Sequence, residues 1–270
     1  MMASGRAFLL LAALLLPSAA ADAQAKELRS FCPDRPGLGT PPCTMDPSHA
    51  DIEIGIADWT LQHDVGVRTD SFVFADSLLR YGVTDSLELQ LEWQGIGTLS
   101  EHARGAGTRH STGSGDLRVA LRRNLHNPDG SGFSIALMPF LTLPVGSHAF
   151  GAGDWTAGLL VPVSYALPDD MQLAFTGEAD AAADGDGRGH HFAYAATLGL
   201  GLPLAPNLGA ALELQHSRDD DPAGSSDATL GGLSFAWQRG ASLQLDAGAN
   251  FGLSRNAPDF EIYAGVAKRF

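Results

Sequence analysis

Residues 86–93 read SLELQLEW: Leu87, Leu89, Leu91 and Trp93 fall on one parity, and Glu88, Gln90, Glu92 and Gln94 on the other. Successive side chains of an extended chain point to opposite faces, so this segment has one apolar and one polar face. A helix would scatter both sets around its axis. The same period recurs in GDLRVALRRNL, DWTAGLLVPVSYAL, NLGAALELQ, ASLQLDAGANF and the closing DFEIYAGVAKRF. From residue 50 onward the chain is written for sheet, and each strand has one face that must leave water.

Twelve segments read as candidate strands: 50–60, 70–82, 86–96, 113–125, 132–143, 154–167, 170–180, 190–202, 207–217, 227–238, 241–252 and 259–270, each end good to about 2–4 residues. The connections alternate. GVTDS, HNPDGSG, LPDD, LPLAPN and QRGA are tight, whereas LQHDVGVRT, GTLSEHARGAGTRHST, LPVGSHAFGAG, ADAAADGDGRGHH, HSRDDDPAGSSD and SRNAPD are longer or more polar. A membrane barrel with both termini on one side has this parity of short turns and long loops. A soluble sandwich of amphipathic strands does not require it. Trp93, Trp155, Tyr165, Phe192, Tyr194, Trp237, Phe251, Phe260 and Phe270 share the outward parity, mostly near strand ends, as interfacial girdles do. The expectation is an all-β fold: a closed antiparallel transmembrane β-barrel of about 12 strands over residues 50–270. Segment 70–82 is the exception, because Phe72 and Phe74 share parity with Asp76 and Arg80; a β-bulge would switch the facing.

The bulk numbers agree. A mean hydropathy of -0.00 is what alternating strands average to, and 32 glycines with 18% charged residues suit strands and turns. A net charge of -14 without any Lys or Arg run argues against nucleic acid as a partner. At the start, Arg6, the apolar run AFLLLAALLL, Pro17 and the pair Ala21 and Ala23 read as a cleaved signal peptide over residues 1–23. Segment 24–49 follows, with the only cysteines, Cys32 and Cys43, in FCPDRPGLGTPPCTM. Its prolines and glycines forbid helix, and export favours a disulfide closing this loop. Whether the segment plugs the lumen or lies outside it stays open at this stage.

No motif for chemistry survives inspection, and no cofactor is expected. DGDGRG, at 184–189, begins like a calcium loop but has Arg188 and Ala195 where ligands are needed. RDDDP, at 218–222, reads as a solvated acidic loop. His216 and Ser217 are adjacent, so alternation sends them to opposite faces, unlike the His and Ser two apart in outer-membrane phospholipase A. The omptin proteases carry Asp and His pairs at the outer rim, but among the rim residues here, His190, His191, Asp184, Asp219 and Asp220, no spacing singles out a dyad. The inward parity is more informative. Glu88, Glu92, Asp116, Arg118, Arg122, Glu178, Glu213, Asp246 and Glu261 are the candidate pore-lining residues, because a lipid-facing charge at mid-bilayer costs about 2–4 kcal/mol for Arg or Lys. They would line an open pore or fill a closed barrel.

The stretches LLRYGVTDSLELQL, GSGDLRVALRRNL, MPFLTLPVG and YAGVAKRF resemble the transporters named for the MetA pathway of phenol degradation, over about residues 50–270. That resemblance implies an outer-membrane barrel of Gram-negative bacteria that passes small hydrophobic or aromatic compounds, without catalytic residues. Its partners would be membrane lipid, lipopolysaccharide and the barrel-assembly machinery. The terminal Phe270 is similar to the signal that machinery reads, although Lys268 stands where an apolar residue is usual. An outer-membrane hydrolase and a closed structural or surface-binding barrel are the alternatives.

Overall fold

A computed structural model describes residues 28–270; the expected signal peptide lies outside the described residues. The described chain is almost all strand: β1 (Ala50–Asp64), β2 (Val67–Phe74), β3 (Asp76–Thr84), β4 (Leu87–Trp93), β5 (Ile96–Ala103), β6 (Gly107–Ser114), β7 (Leu117–His126), β8 (Phe133–Leu143), β9 (Thr156–Ala166), β10 (Gln172–Ala183), β11 (His190–Ala205), β12 (Leu208–Asp219), β13 (Ser226–Arg239), β14 (Leu243–Gly252) and β15 (Phe260–Arg269). One single-turn 3₁₀ helix, Pro168–Asp170, joins β9 to β10.

These fifteen segments make twelve staves. β2 runs on into β3, β4 into β5 and β6 into β7. The lower half of β1 therefore pairs with β3 (Gly55 with Asp76) and its upper half with β2 (Asp58 with Val73). All pairings are antiparallel, and β15 closes the barrel on β1 through ten partner pairs from Asp51–Arg269 to Leu61–Phe260. Closure removes both sheet edges, which a membrane-spanning sheet must do because lipid offers backbone amides no partner.

The distribution of side chains inverts that of a water-soluble protein. Leu89, Leu91, Leu212, Leu214, Phe251 and Ile262 are exposed on the outer face, whereas Arg80, Arg122, Glu53 and Glu88 are wholly buried inside. Charge points to the interior because the other side of the wall is built for hydrocarbon.

The facing conflict of 70–82 resolves at Ala75, which has φ 56° and separates β2 from β3. Above the break Phe72 and Phe74 face out; below it Arg80 faces in. The neighbouring stave breaks at Gly95, with φ 71°. A Cβ there would lie 2.4 Å from the Phe74 carbonyl oxygen, so Gly95→Val meets both a disfavoured φ and a backbone wall. It should cost about 2–3 kcal/mol, read as a lower urea midpoint for refolding into detergent micelles.

Two connections expected as long loops are instead extensions of the sheet. β1 and β2 meet at a turn after Asp64, and β5 and β6 form a hairpin around residues 104–106. The hairpin is polar on both faces, with the Ser100 hydroxyl 2.9 Å from His110 Nδ1 and His102 Nδ1 2.9 Å from the Thr108 hydroxyl. A strand wet on both sides has no hydrophobic period to read.

Candidate functional site

Residues 28–49 enter the barrel from the end where Phe270 pairs with Ala50, rise into the lumen and return to β1. Cys32 and Cys43 are joined at 1.98 Å, closing the base of this loop. The wall grips it with its inward charges. The Asp34 carboxylate takes Arg122 Nη1 at 2.9 Å and Nη2 at 2.6 Å, and Arg80 Nη1 stands 3.1 Å away. Arg80 also reaches Glu88 at 3.0 Å and donates to the Cys32 carbonyl at 2.7 Å. Glu53 accepts the backbone N–H groups of Asp34 and Arg35, both at 2.8 Å. Glu213 accepts those of Leu38 and Gly39, at 2.8 and 2.9 Å, and Glu88 that of Met45 at 2.8 Å. Arg35 pairs with Asp246 at 3.1 Å.

A loop without regular structure leaves its own amides unpaired, and buried amides require acceptors. Carboxylates on the wall supply them, so the interior charges serve the plug as well as one another. Burial works against ionisation of Asp34, but Arg122 and Arg80 outweigh it and hold its carboxyl below the usual range.

Above the plug lies a chamber of about 610 Å³. Asp58, Asp76, Glu92 and Glu261 line it together with Arg35, Arg118 and Tyr263. Met138 and Leu160 also border it, and with Ala120 and Phe140 they form a buried apolar cluster inside the barrel. The Arg118 guanidinium sits 4.3 Å from the Phe140 ring centre, and that of Arg35 5.8 Å from the Tyr263 ring. The chamber thus sets carboxylates beside one aromatic ring, Tyr263, already faced by a cation.

The expected lining residues divide into three groups. Glu88, Arg122, Glu213 and Asp246 hold the plug. Glu92, Arg118 and Glu261 border the chamber, and Glu178 faces inward two residues beyond Thr176, which contacts the plug at Thr40. Asp116 does something else. Its carboxylate accepts the backbone N–H groups of Gly146 and Ala152, both at 2.7 Å, and folds the connection 144–155 inward. Phe150 of that connection covers Gly97, where a Cβ would fall 2.1 Å from its ring.

His216 is exposed on the outer face, 3.0 Å from the Thr229 hydroxyl, with Ser217 on the opposite parity. At the upper rim the fold gathers what spacing did not: His191 lies 2.9 Å from Asp184 and 3.0 Å from Asp219. Sequence reasoning passed over Asp34, Arg35, Phe140, Phe150 and Tyr263. Phe140 sits in a strand apolar on both faces, so parity said nothing about it.

The family model described as "Putative MetA-pathway of phenol degradation" matches residues 33–270, the plug apex and the whole barrel. The chain belongs to this family. Among solved structures, it is similar to the β domain of the Bordetella autotransporter BrkA (13% identity, TM-score 0.52, covering 83% of this chain and 100% of that one). It is also similar to the NalP translocator domain from Neisseria meningitidis (14%, 0.51, 88% and 90%) and to the KdgM porin (12%, 0.50, 82% and 99%). At these identities the likeness is one of fold. No curated protein matches the sequence. The match of the family model begins at residue 33, so it covers plug positions 34–49 as well as the barrel.

Proposed function

We propose that this protein is an outer-membrane channel through which small hydrophobic or aromatic compounds pass passively. The observation that carries the reading is the chamber: a space above a fixed plug in which apolar Val73, Leu78, Met138, Leu160 and the ring of Tyr263 stand among charged and neutral polar side chains. A flat apolar solute gains there what bulk water denies it, while the carboxylates keep the space wet. The family's link to phenol degradation supports the substrate class. The lower end, with its short turns, would face the periplasm and the upper connections lipopolysaccharide. Phe270 would be read by the assembly machinery during insertion.

The filled lower lumen favours the closed structural barrel as a second reading. Uptake by liposomes separates the two. Vesicles containing the folded protein should take up phenol faster than empty vesicles and exclude a tetrasaccharide. Uptake no faster than that of protein-free vesicles would leave the structural reading.

A further inference from the structure

The connection between β8 and β9, residues 144–155, reads PVGSHAFGAGDW, and by composition it would stand in water above the rim. It lies against the inner wall instead. Asp116, 1% exposed at the head of β7, accepts the backbone N–H of Gly146 on one carboxylate oxygen and that of Ala152 on the other, both at 2.7 Å. Ser147 donates its N–H to the Ser114 carbonyl at 2.8 Å and its hydroxyl to the same oxygen at 3.2 Å. The connection also folds on itself: the Phe150 and Gly151 N–H groups both donate to the Ser147 carbonyl, at 3.0 and 2.7 Å.

The wall is cut away to receive this strap. Gly97 of β5 and Gly113 of β6 are register partners. A Cβ at Gly97 would enter the Phe150 ring, and one at Gly113 would fall on the Ser147 side chain. Glycine weakens a strand, and facing glycines mark a place where something approaches the backbone closely. Here that something is the strap.

Its height follows from the residues below it. Gln94 on one stave and Arg118 on the next line the chamber. The strap's contacts, Gly97, Gly113, Ser114 and Asp116, come next above them along the same two staves. Asp116 is tied to Gln94 as well: its N–H donates to the Gln94 side-chain oxygen and its carbonyl accepts the Gln94 N–H, both at 3.1 Å. The strap therefore stands over the β4–β7 side of the chamber.

We infer that the connection 144–155 is a size barrier at the outer mouth and that Asp116 is its positioning residue. Two amides held by one buried carboxylate are charge-assisted bonds, so its removal frees both ends of the strap at once. This deepens the channel reading: it adds an outer limit, wider than that of the plug, on what reaches the chamber.

Chemical labelling tests the barrier without requiring transport. Leu78→Cys places a thiol in the chamber, and the native cysteines are joined to each other. N-ethylmaleimide should label that thiol in the folded protein, whereas a maleimide carrying a polyethylene glycol chain bulkier than a tetrasaccharide should react slowly. Adding Asp116→Ala should speed the bulky reagent about tenfold and leave the small one within about twofold. Asp116→Asn, which keeps one acceptor oxygen, should fall between. Phe150→Ala removes the ring and keeps the clasp, so it gives the same reading should Asp116→Ala fail to fold. A carboxylate that only stabilised the barrel would lower the urea midpoint and leave the ratio of the two rates unchanged, which would overturn the proposal. So would equal rates for the bulky reagent in every folded variant, whether fast or absent. Phenol uptake decides the channel reading separately: strap-dependent labelling without uptake would overturn the channel and leave the strap as the cover of a closed barrel.

Discussion

Arg80→Ala should destabilise the folded barrel by about 3–5 kcal/mol, the cost of removing one partner from a buried charge cluster. Arg80 is wholly buried and stands within 3.1 Å of Asp34, 3.4 Å of Glu53 and 3.0 Å of Glu88. Asp51, also wholly buried, is 3.9 Å away with no hydrogen bond to either carboxylate oxygen. Without the guanidinium, Arg122 alone would face this group of acids, and the Cys32 carbonyl would lose its donor. Arg109→Ala is the control. Its pair with Glu101 spans 3.9 Å on an exposed hairpin, and such pairs contribute about 0–1 kcal/mol. Urea-induced unfolding in micelles reads both variants; a small change for Arg80→Ala would mean that water already solvates the cluster.

The same cluster sets a pH response. Asp34 has its carboxyl held below the usual range in the folded protein. A depressed carboxylate contributes stability that is complete above the unfolded value, about 3.9, and lost as pH falls through the lower folded value. Asp34's own share of the grip is therefore kept in mildly acidic conditions and lost only in stronger acid.

Deleting residues 28–49 should widen the pore. Apart from its internal disulfide and the contacts of Arg29 with Asp46 and Thr44, the segment is held by the wall, so its loss leaves inward Glu53, Arg80, Glu88, Arg122 and Glu213 facing a wet lumen. Water can solvate charges there, which spares the barrel the cost of a dry unpaired ion. The strand ladder from β1 to β15 does not involve the segment, so closure persists. In liposome-swelling assays the deletion variant should admit a tetrasaccharide that wild type excludes. An unchanged size limit would place the restriction elsewhere, with the inward connection 144–155 the next barrier.

Alternation made the staves legible wherever one face was apolar and the other polar. Strands such as Leu87–Trp93 and Leu243–Gly252 stand where the period placed them, and the conflict at Phe72, Phe74 and Arg80 marked the stave in which the structure breaks, at Ala75. The hairpin of β5 and β6, polar on both faces, and β8, apolar on both, gave no period. That is why one was read as a loop and the inward cluster of Met138, Phe140 and Leu160 was not anticipated. The inward charges were visible as a set; their division between plug and chamber was not. Parity fixes which face a residue lies on, and the partners came from a segment whose prolines and glycines carry no period at all. Asp34 and Arg35 are distant in sequence from Arg122 and Asp246, and only the closed barrel brings them together.

The most direct test is a single-channel recording in planar bilayers, with wild type and the 28–49 deletion measured side by side. A plugged lumen with a residual passage predicts small, steady wild-type openings and a deletion variant conducting roughly threefold more or better. Equal conductance from the two, with both shown to be folded, would contradict it.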